Sequence, residues 1–311
     1  MSLRKFLVIL ISGLFLSACG DPAPYQAGEA ESSTPASESV ADAVGEEERV
    51  ARLDALYEQY FEDSLALNPL RATFMGDHRW SDRWPNSLGE EHRAEALALQ
   101  QDYLARLREI GSEGLEGQNL LSYRMFESDR LRSIEGAEYP DHLMPINQFR
   151  NPVNTLVMLG SGTGAQPFGT IEDYDNWRRR ASEWVVWADQ AIVNMREGIE
   201  RDLVQPRILI ERTLEQLDNH LVDDPTESLL YRPVAEFPDD LDPDELERIS
   251  SEYQSLIADT LMPAIQRLRD FLAGDYLAAS RETAGMHALP GGEEWYARLV
   301  ANTTTTDLTP A

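Results

Sequence analysis

Hydrophobic residues recur every three or four positions along most of this chain, and that spacing predicts helices. The first stretch is "EEERVARLDALYEQYFEDSLALNP", which puts Val50, Leu53, Leu56, Tyr57, Tyr60 and Leu65 near one face before Asn68-Pro69 ends it. A second helix is expected from about Gly89 to Ile110 and a third from about Gln118 to Ile134. The clearest period lies at 171–200, where Trp177, Ala181, Trp184, Ala188, Ile192, Met195 and Ile199 form one stripe. Another helix is expected at about 206–221. A long one follows at about 243–273, carrying Leu246, Ile249, Tyr253, Leu256, Leu261, Ile265, Leu268 and Leu272. Pro263 should kink it, because proline offers no backbone donor and crowds the preceding turn. No run alternates with the two-residue period of strands, so the expected class is mainly α, a multi-helix fold. The end of the chain reads as loop, short helix, threonine-rich turn and the opening of another helix at Asp307, Thr309 and Pro310.

The first 46 residues follow other rules. Residues 1–18 have a positive start (Arg4, Lys5) and an apolar run from Phe6 to Leu16, too short to span a membrane. "LSAC" at 16–19 resembles the lipobox of bacterial lipoproteins, in which the signal is cut before a cysteine that then carries lipid; here that is Cys19, the only cysteine. Gly20 follows where an Asp would resemble an inner-membrane retention signal. The expected address is therefore the outer membrane, facing the periplasm. Residues 19–46 are rich in Ala, Ser, Pro and Glu and cannot bury enough apolar surface to offset their ordering entropy, so they are expected to be a flexible acidic tether. The helical domain is expected over 47–311.

Charge narrows the choice of partner. A formal net charge of −28, from 55 acidic and 27 basic residues, opposes contact with phosphates and argues against nucleic acid.

Candidate chemistry is sparse. "GSGTGA" at 160–165 has the glycine spacing of a dinucleotide loop but not its setting, since no strand precedes it and no helix opens on it. Ser161 is outside a G-x-S-x-G elbow, because position 159 is Leu. His78, His92, His142, His220 and His287 are never spaced four apart with a Glu between them, so the helical two-His zinc motif is not found here. Asp77-His78 reads as a surface pair, and His287 as structural.

Three stretches, in order, resemble the bacterial family labelled domain of unknown function 885: "LALNPLRATFMGDHRWSDRWPNSL" at 65–88, "MPINQFRNPVNTL" at 144–156 and "GMHALPGGEEWYARLVANTTTTDLTP" at 285–310. The resemblance implies an exported lipoprotein about twice this length. Its C-terminal half would carry an H-E-x-x-P-G-H-H motif like those of all-helical zinc peptidases. By that resemblance this chain is the N-terminal half, truncated before the zinc ligands and inactive alone. Zinc is expected only with the missing half, which would be the partner, and peptides would be the substrates. A substrate cleft between halves would be lined here by Gly291, Gly292, Tyr296, Thr304 and Thr305; no catalytic or metal residue is assigned. An unpartnered apolar face is expected on the helices near 171–200 and 243–273 and around Trp295-Tyr296. The alternative is a non-enzymatic envelope lipoprotein, a helical binding or scaffold module.

One consequence is testable on cells. Radiolabelled fatty acid should mark the wild-type chain and not Cys19→Ala, and Cys19→Ala should stay unprocessed or leave the membrane fraction; label on Cys19→Ala would contradict the lipobox.

Overall fold

The computed structural model describes residues 38–309 apart from 240 and 307, with side chains from residue 45. The signal segment, Cys19, most of the expected tether and the expected helix opening at Asp307 and Pro310 lie outside the described residues. All contacts below belong to the unit Val44–Ala311.

The chain order is helix after helix: α1 Glu38–Leu67, α2 Pro69–Phe74, α3 Glu90–Ile110, α4 Gly117–Gly136, α5 Pro152–Gly160 and α6 Ile171–Glu200. Then come α7 Arg207–Asp218, α8 Arg232–Ala235, α9 Pro243–Ser255, α10 Met262–Phe271, α11 Leu277–Ala279 and α12 Gly292–Thr304. Among the described residues there is no strand, only an isolated bridge between Pro206 and Arg281. The mainly α expectation holds. No helix among them is long and apolar enough to cross a membrane.

Local chemistry explains the boundaries. Asn68 satisfies the end of α1, its backbone and side-chain N–H groups both donating to Ser64 O, and Pro69 then opens α2, where a missing N–H costs nothing. α6 begins with a reciprocal box. Asp173 N donates to Thr170 Oγ1, and Thr170 N donates back to Asp173 Oδ2. α1 runs back to Glu38, so it takes in the end of the segment expected as tether.

The largest core forms around α6. Trp177, Ala181, Trp184 and Met195 are buried with Ile249, Tyr253, Ile257, Leu261, Ile265 and Leu268 of the long C-terminal helical run. That run is continuous from Pro243 to Ala279, with π turns at Leu256–Leu261 and Leu272–Tyr276. The first π turn lies directly ahead of Pro263. Widening the turn there removes the crowding of proline's ring against the carbonyl four residues back, so the helix absorbs the proline by a change of pitch. A second core joins α1, α3 and α4 through Leu53, Leu56, Tyr103, Leu107 and Tyr123. A third, smaller one holds Leu143, Met144, Leu203, Leu289 and Trp295.

These cores correct the expected apolar face. Val186 and Val193 of α6 and Tyr296 of α12 are exposed, but the stripe on α9 and α10 is buried and Trp295 is only 5% exposed.

Gly160 shows how closely α5 meets α6. A Cβ there would lie 2.3 Å from Trp177 Cζ2 and 2.6 Å from Leu230 Cδ2. Alanine normally favours a helix by about 1 kcal/mol over glycine, whereas overpacking a filled core costs about 1–3 kcal/mol. Packing should win. Gly160→Ala is expected to lower stability by up to about 2 kcal/mol net, read as a lower urea midpoint; an unchanged or raised midpoint would show that the contact yields freely.

Candidate functional site

The three stretches that carry the family resemblance are each fixed by side chains from elsewhere. The first, after α2, is tied along one edge of α6. Arg180 is fully buried and donates to Thr73 Oγ1 (2.9 Å), Trp80 O (2.6 Å), Arg83 O (2.9 Å) and Gln166 Oε1 (2.7 Å). One turn on, Glu183 accepts from Trp84 N at 2.7 Å; then Trp187 Nε1 donates to Ser87 Oγ at 3.1 Å. Asn194 closes the seam by donating to Leu88 O and His142 O. These positions recur at three- and four-residue spacing, so they share one helix edge. Burial pushes the Arg180 guanidinium down to about 10, against the pull of Asp82 and Glu183, so it stays charged at neutral pH. Asp77 pairs with Arg79, which holds its carboxyl below the usual range, and not with His78, whose ring faces Ser81 Oγ instead.

The second stretch is a locked turn. Asn147 Oδ1 accepts from Phe149 N and Arg150 N, and Asn151 caps α5 through Val153 N. Gln216 of α7 and His220 in the turn after it hold it from behind: Gln216 Oε1 accepts from Asn151 Nδ2 at 2.9 Å, and His220 Nε2 lies 2.8 Å from Asn154 Oδ1. Burial lowers the His220 pKa, which favours the neutral ring there.

The third stretch borders an opening of about 670 Å³ lined by Gly285, Met286, His287, Glu293 and Tyr296. Arg281 sets its near wall by donating to Val204 O, Thr283 O and Gly285 O. Trp295 anchors α12 behind it, 5.7 Å from the Tyr139 ring. The Tyr139 phenol is pushed up chiefly by burial and then by Glu294. The His287 imidazole, the Glu293 carboxylate and the Tyr296 phenol line one opening, a set able to donate and accept hydrogen bonds.

Of the residues predicted from sequence to line a cleft, Tyr296 does so. Gly291 and Gly292 build the turn into α12. Gly291 has φ +68°, and a Cβ on Gly292 would stand 1.8 Å from Met286 O. Thr304 and Thr305 sit at the other end of α12, about 18 Å along the axis from Gly292 at the usual rise per residue. Thr304 Oγ1 donates to Val300 O, and Thr305 ends the helix in the left-handed region. The sequence reading missed Glu293 as a lining group and took His287 for structural; their closeness to Gly291-Gly292 was the only signal. No group of three or more His, Cys, Asp or Glu side chains among the described residues is placed to hold a metal. His287 and Glu293 alone do not make a zinc site.

The glycine-rich stretch also resolves. α5, a helix, precedes it, and α6 opens only at Ile171, so it lacks the strand–turn–helix geometry of a phosphate loop. Its glycines answer to packing and turn: Gly162 has φ +74°, and a Cβ on Gly164 would meet Met158 O at 2.5 Å.

The profile described as "Bacterial protein of unknown function (DUF885)" matches residues 69–311, and so contains the whole seam, the locked turn and the cavity. The chain belongs to this family. No curated protein matches it. Among solved structures, a chain described as the "putative lipoprotein from Colwellia psychrerythraea" matches this DUF885 member with a TM-score of 0.67 at 15% identity. The match covers 84% of this chain and 47% of that one, so this chain spans about half the length of its structural relative. At that identity the likeness speaks for the fold.

The two adjacent glycines give a graded test. Gly291→Ala meets no atom and should cost only the left-handed backbone, about 1–2 kcal/mol. Gly292→Ala has no room beside Met286 O and should cost more, with faster proteolysis around 284–296. Equal, small effects in chemical denaturation would show that the turn is pliable.

Proposed function

We propose that this chain is one half of an exported, lipid-anchored DUF885 hydrolase of the zinc-peptidase type, and that the cavity at His287, Glu293 and Tyr296 forms part of its substrate cleft. The observation carrying this reading is the coverage: 84% of the chain superimposes on 47% of a longer protein, which leaves that protein a comparable length of fold outside the match. That relative is described as a lipoprotein, which supports the same reading of Cys19. On this reading the lipid holds the chain at the outer membrane, facing the periplasm, and the acidic tether gives it reach. Among the described residues no group of three or more His, Cys, Asp or Glu is placed to hold a zinc ion, and this reading assigns the metal and its motif to a C-terminal half. Tyr296 and the turn at Gly291-Gly292 would then orient a peptide, with His287 and Glu293 available to bind its backbone. The alternative, an envelope binding module, is favoured by one feature, a second groove with unpaired arginines.

Co-expression decides between them. The chain alone should hold no stoichiometric zinc and cleave no peptide. Together with the C-terminal half of a full-length family member it should form a stable pair with chelator-sensitive peptide hydrolysis, and Tyr296→Phe should weaken substrate binding by several-fold. A chain that ignores the added half would contradict the two-part reading.

A further inference from the structure

The first and second family stretches, far apart in sequence, meet at a groove of about 420 Å³. Arg71, Trp84 and Pro85 come to it from α2 and the loop after it; Phe149, Arg150 and Thr155 come from the locked turn and α5.

Two features of this groove are unexplained by folding. The first is charge. In a chain with twice as many acidic as basic residues, surface arginines such as Arg79, Arg108, Arg267 and Arg269 find a carboxylate, while among the described residues Arg52, Arg124, Arg212 and Arg232 stand singly in water; at this groove two such unpaired arginines come to one opening. Arg71 and Arg150 line the groove, and among the described residues neither guanidinium has an ion-pair or hydrogen-bond partner. The second is Phe149, 85% exposed, the most exposed large apolar side chain described. A mobile loop would let such a ring fold inward. Here the backbone that carries the ring is fixed, because Asn147 accepts from Phe149 N and Arg150 N, Asn147 N donates to Arg150 O, and Gln216 Nε2 donates to Gln148 O. The fold holds an apolar ring and a cation in water side by side, in one groove with a second cation and with Trp84 and Pro85.

The occupant follows from size and charge. Guanidinium groups match carboxylates, with two parallel hydrogen bonds available from each. A groove of this volume takes one or two side chains, not a helix. A net charge of −28 opposes a polyacidic segment or an anionic membrane surface, whereas a single carboxylate beside an apolar side chain meets little of that repulsion. Those two groups occur together at the end of a peptide, and capture of a terminal carboxylate is an established recognition mode.

We propose that this groove binds the C-terminal end of a peptide, the free carboxylate on Arg71 and Arg150 and the last, apolar side chain between Phe149 and the Trp84-Pro85 wall. The site requires neither metal nor hydrolysis, so it stands apart from the two-part enzyme reading.

Calorimetric titration of the full chain tests this with four probes: a hexapeptide ending in Phe with a free carboxylate, its C-terminal amide, an amidated version with Glu at the penultimate position, and phosphatidylglycerol vesicles. The free acid should bind and amidation should weaken binding by about tenfold or more, the loss of a charge-assisted pair. Arg71→Ala and Arg150→Ala should each weaken the free acid by about tenfold and leave the amide unchanged, Arg150→Lys should restore part, and Phe149→Ala should weaken acid and amide alike. All three side chains project to solvent, and unchanged melting curves would show that the variants fold. Equal affinity for acid and amide, equal affinity for the internal-Glu amide, vesicle binding without peptide binding, or no peptide binding at all would each overturn the proposal.

Discussion

A single buried guanidinium sets the arrangement of this fold. Arg180 lies in the middle of α6 with no exposed surface and no carboxylate in contact. Taking such a charge out of water costs several kcal/mol unless its donors are met. Here four acceptors meet them, drawn from α2, the loop after it and the loop before α6. The dependence runs both ways. Without the guanidinium, Trp80 O and Arg83 O lose their donors in a desolvated setting, a penalty larger than the net worth of the bonds themselves. Without those carbonyls in place, the charge has no partner. Two loops that would otherwise be mobile are thus held to one rotamer of one side chain.

The consequences reach both openings. The seam from Arg180 to Asn194 places Trp84 and Pro85 at the groove wall and fixes Leu88 O beside His142 O. His142 precedes Leu143 and Met144, which pack with Leu289 and Trp295 beneath the cavity at His287. The stretches that mark the family in sequence therefore serve first as the inward-facing joints of the scaffold. What remains outward on them, Arg71, Phe149, Arg150, His287, Glu293 and Tyr296, is the part the fold does not consume.

Periodicity made the long helices legible. α3, α4, α6 and α7 begin and end within a few residues of where the apolar stripe and its caps place them, because burial of one face dominates their energetics. α2 and α5 escaped notice. They are short, open on Pro69 and Pro152, and carry Thr73 in one and Asn154-Thr155 in the other, so their signal resembles that of loops. The seam was hidden for a different reason. Arg180, Glu183 and Asn194 are polar residues at the edge of the apolar stripe, where an amphipathic pattern cannot distinguish a side chain facing water from one facing another segment's backbone. Trp295 was misplaced likewise: an aromatic next to a glycine turn near the chain end resembles surface, yet Leu143, Met144 and Leu203 close over it. Tyr296 was legible as a lining group, whereas the threonines after it belong to the helix end.

The most direct test of the central role of Arg180 is amide hydrogen exchange on Arg180→Lys beside the wild type. Lysine keeps the charge but offers three donors on one flexible point, and so cannot reach four acceptors spread over two loops. If Arg180 ties those loops to α6, protection should fall together and furthest over residues 73–88 and 161–170, global stability should drop by about 2–4 kcal/mol, and α1, α3 and α4 should lose no more protection than that global drop requires. Unchanged protection in both loops, with stability within about 0.5 kcal/mol of the wild type as for an ordinary surface substitution, would contradict the account.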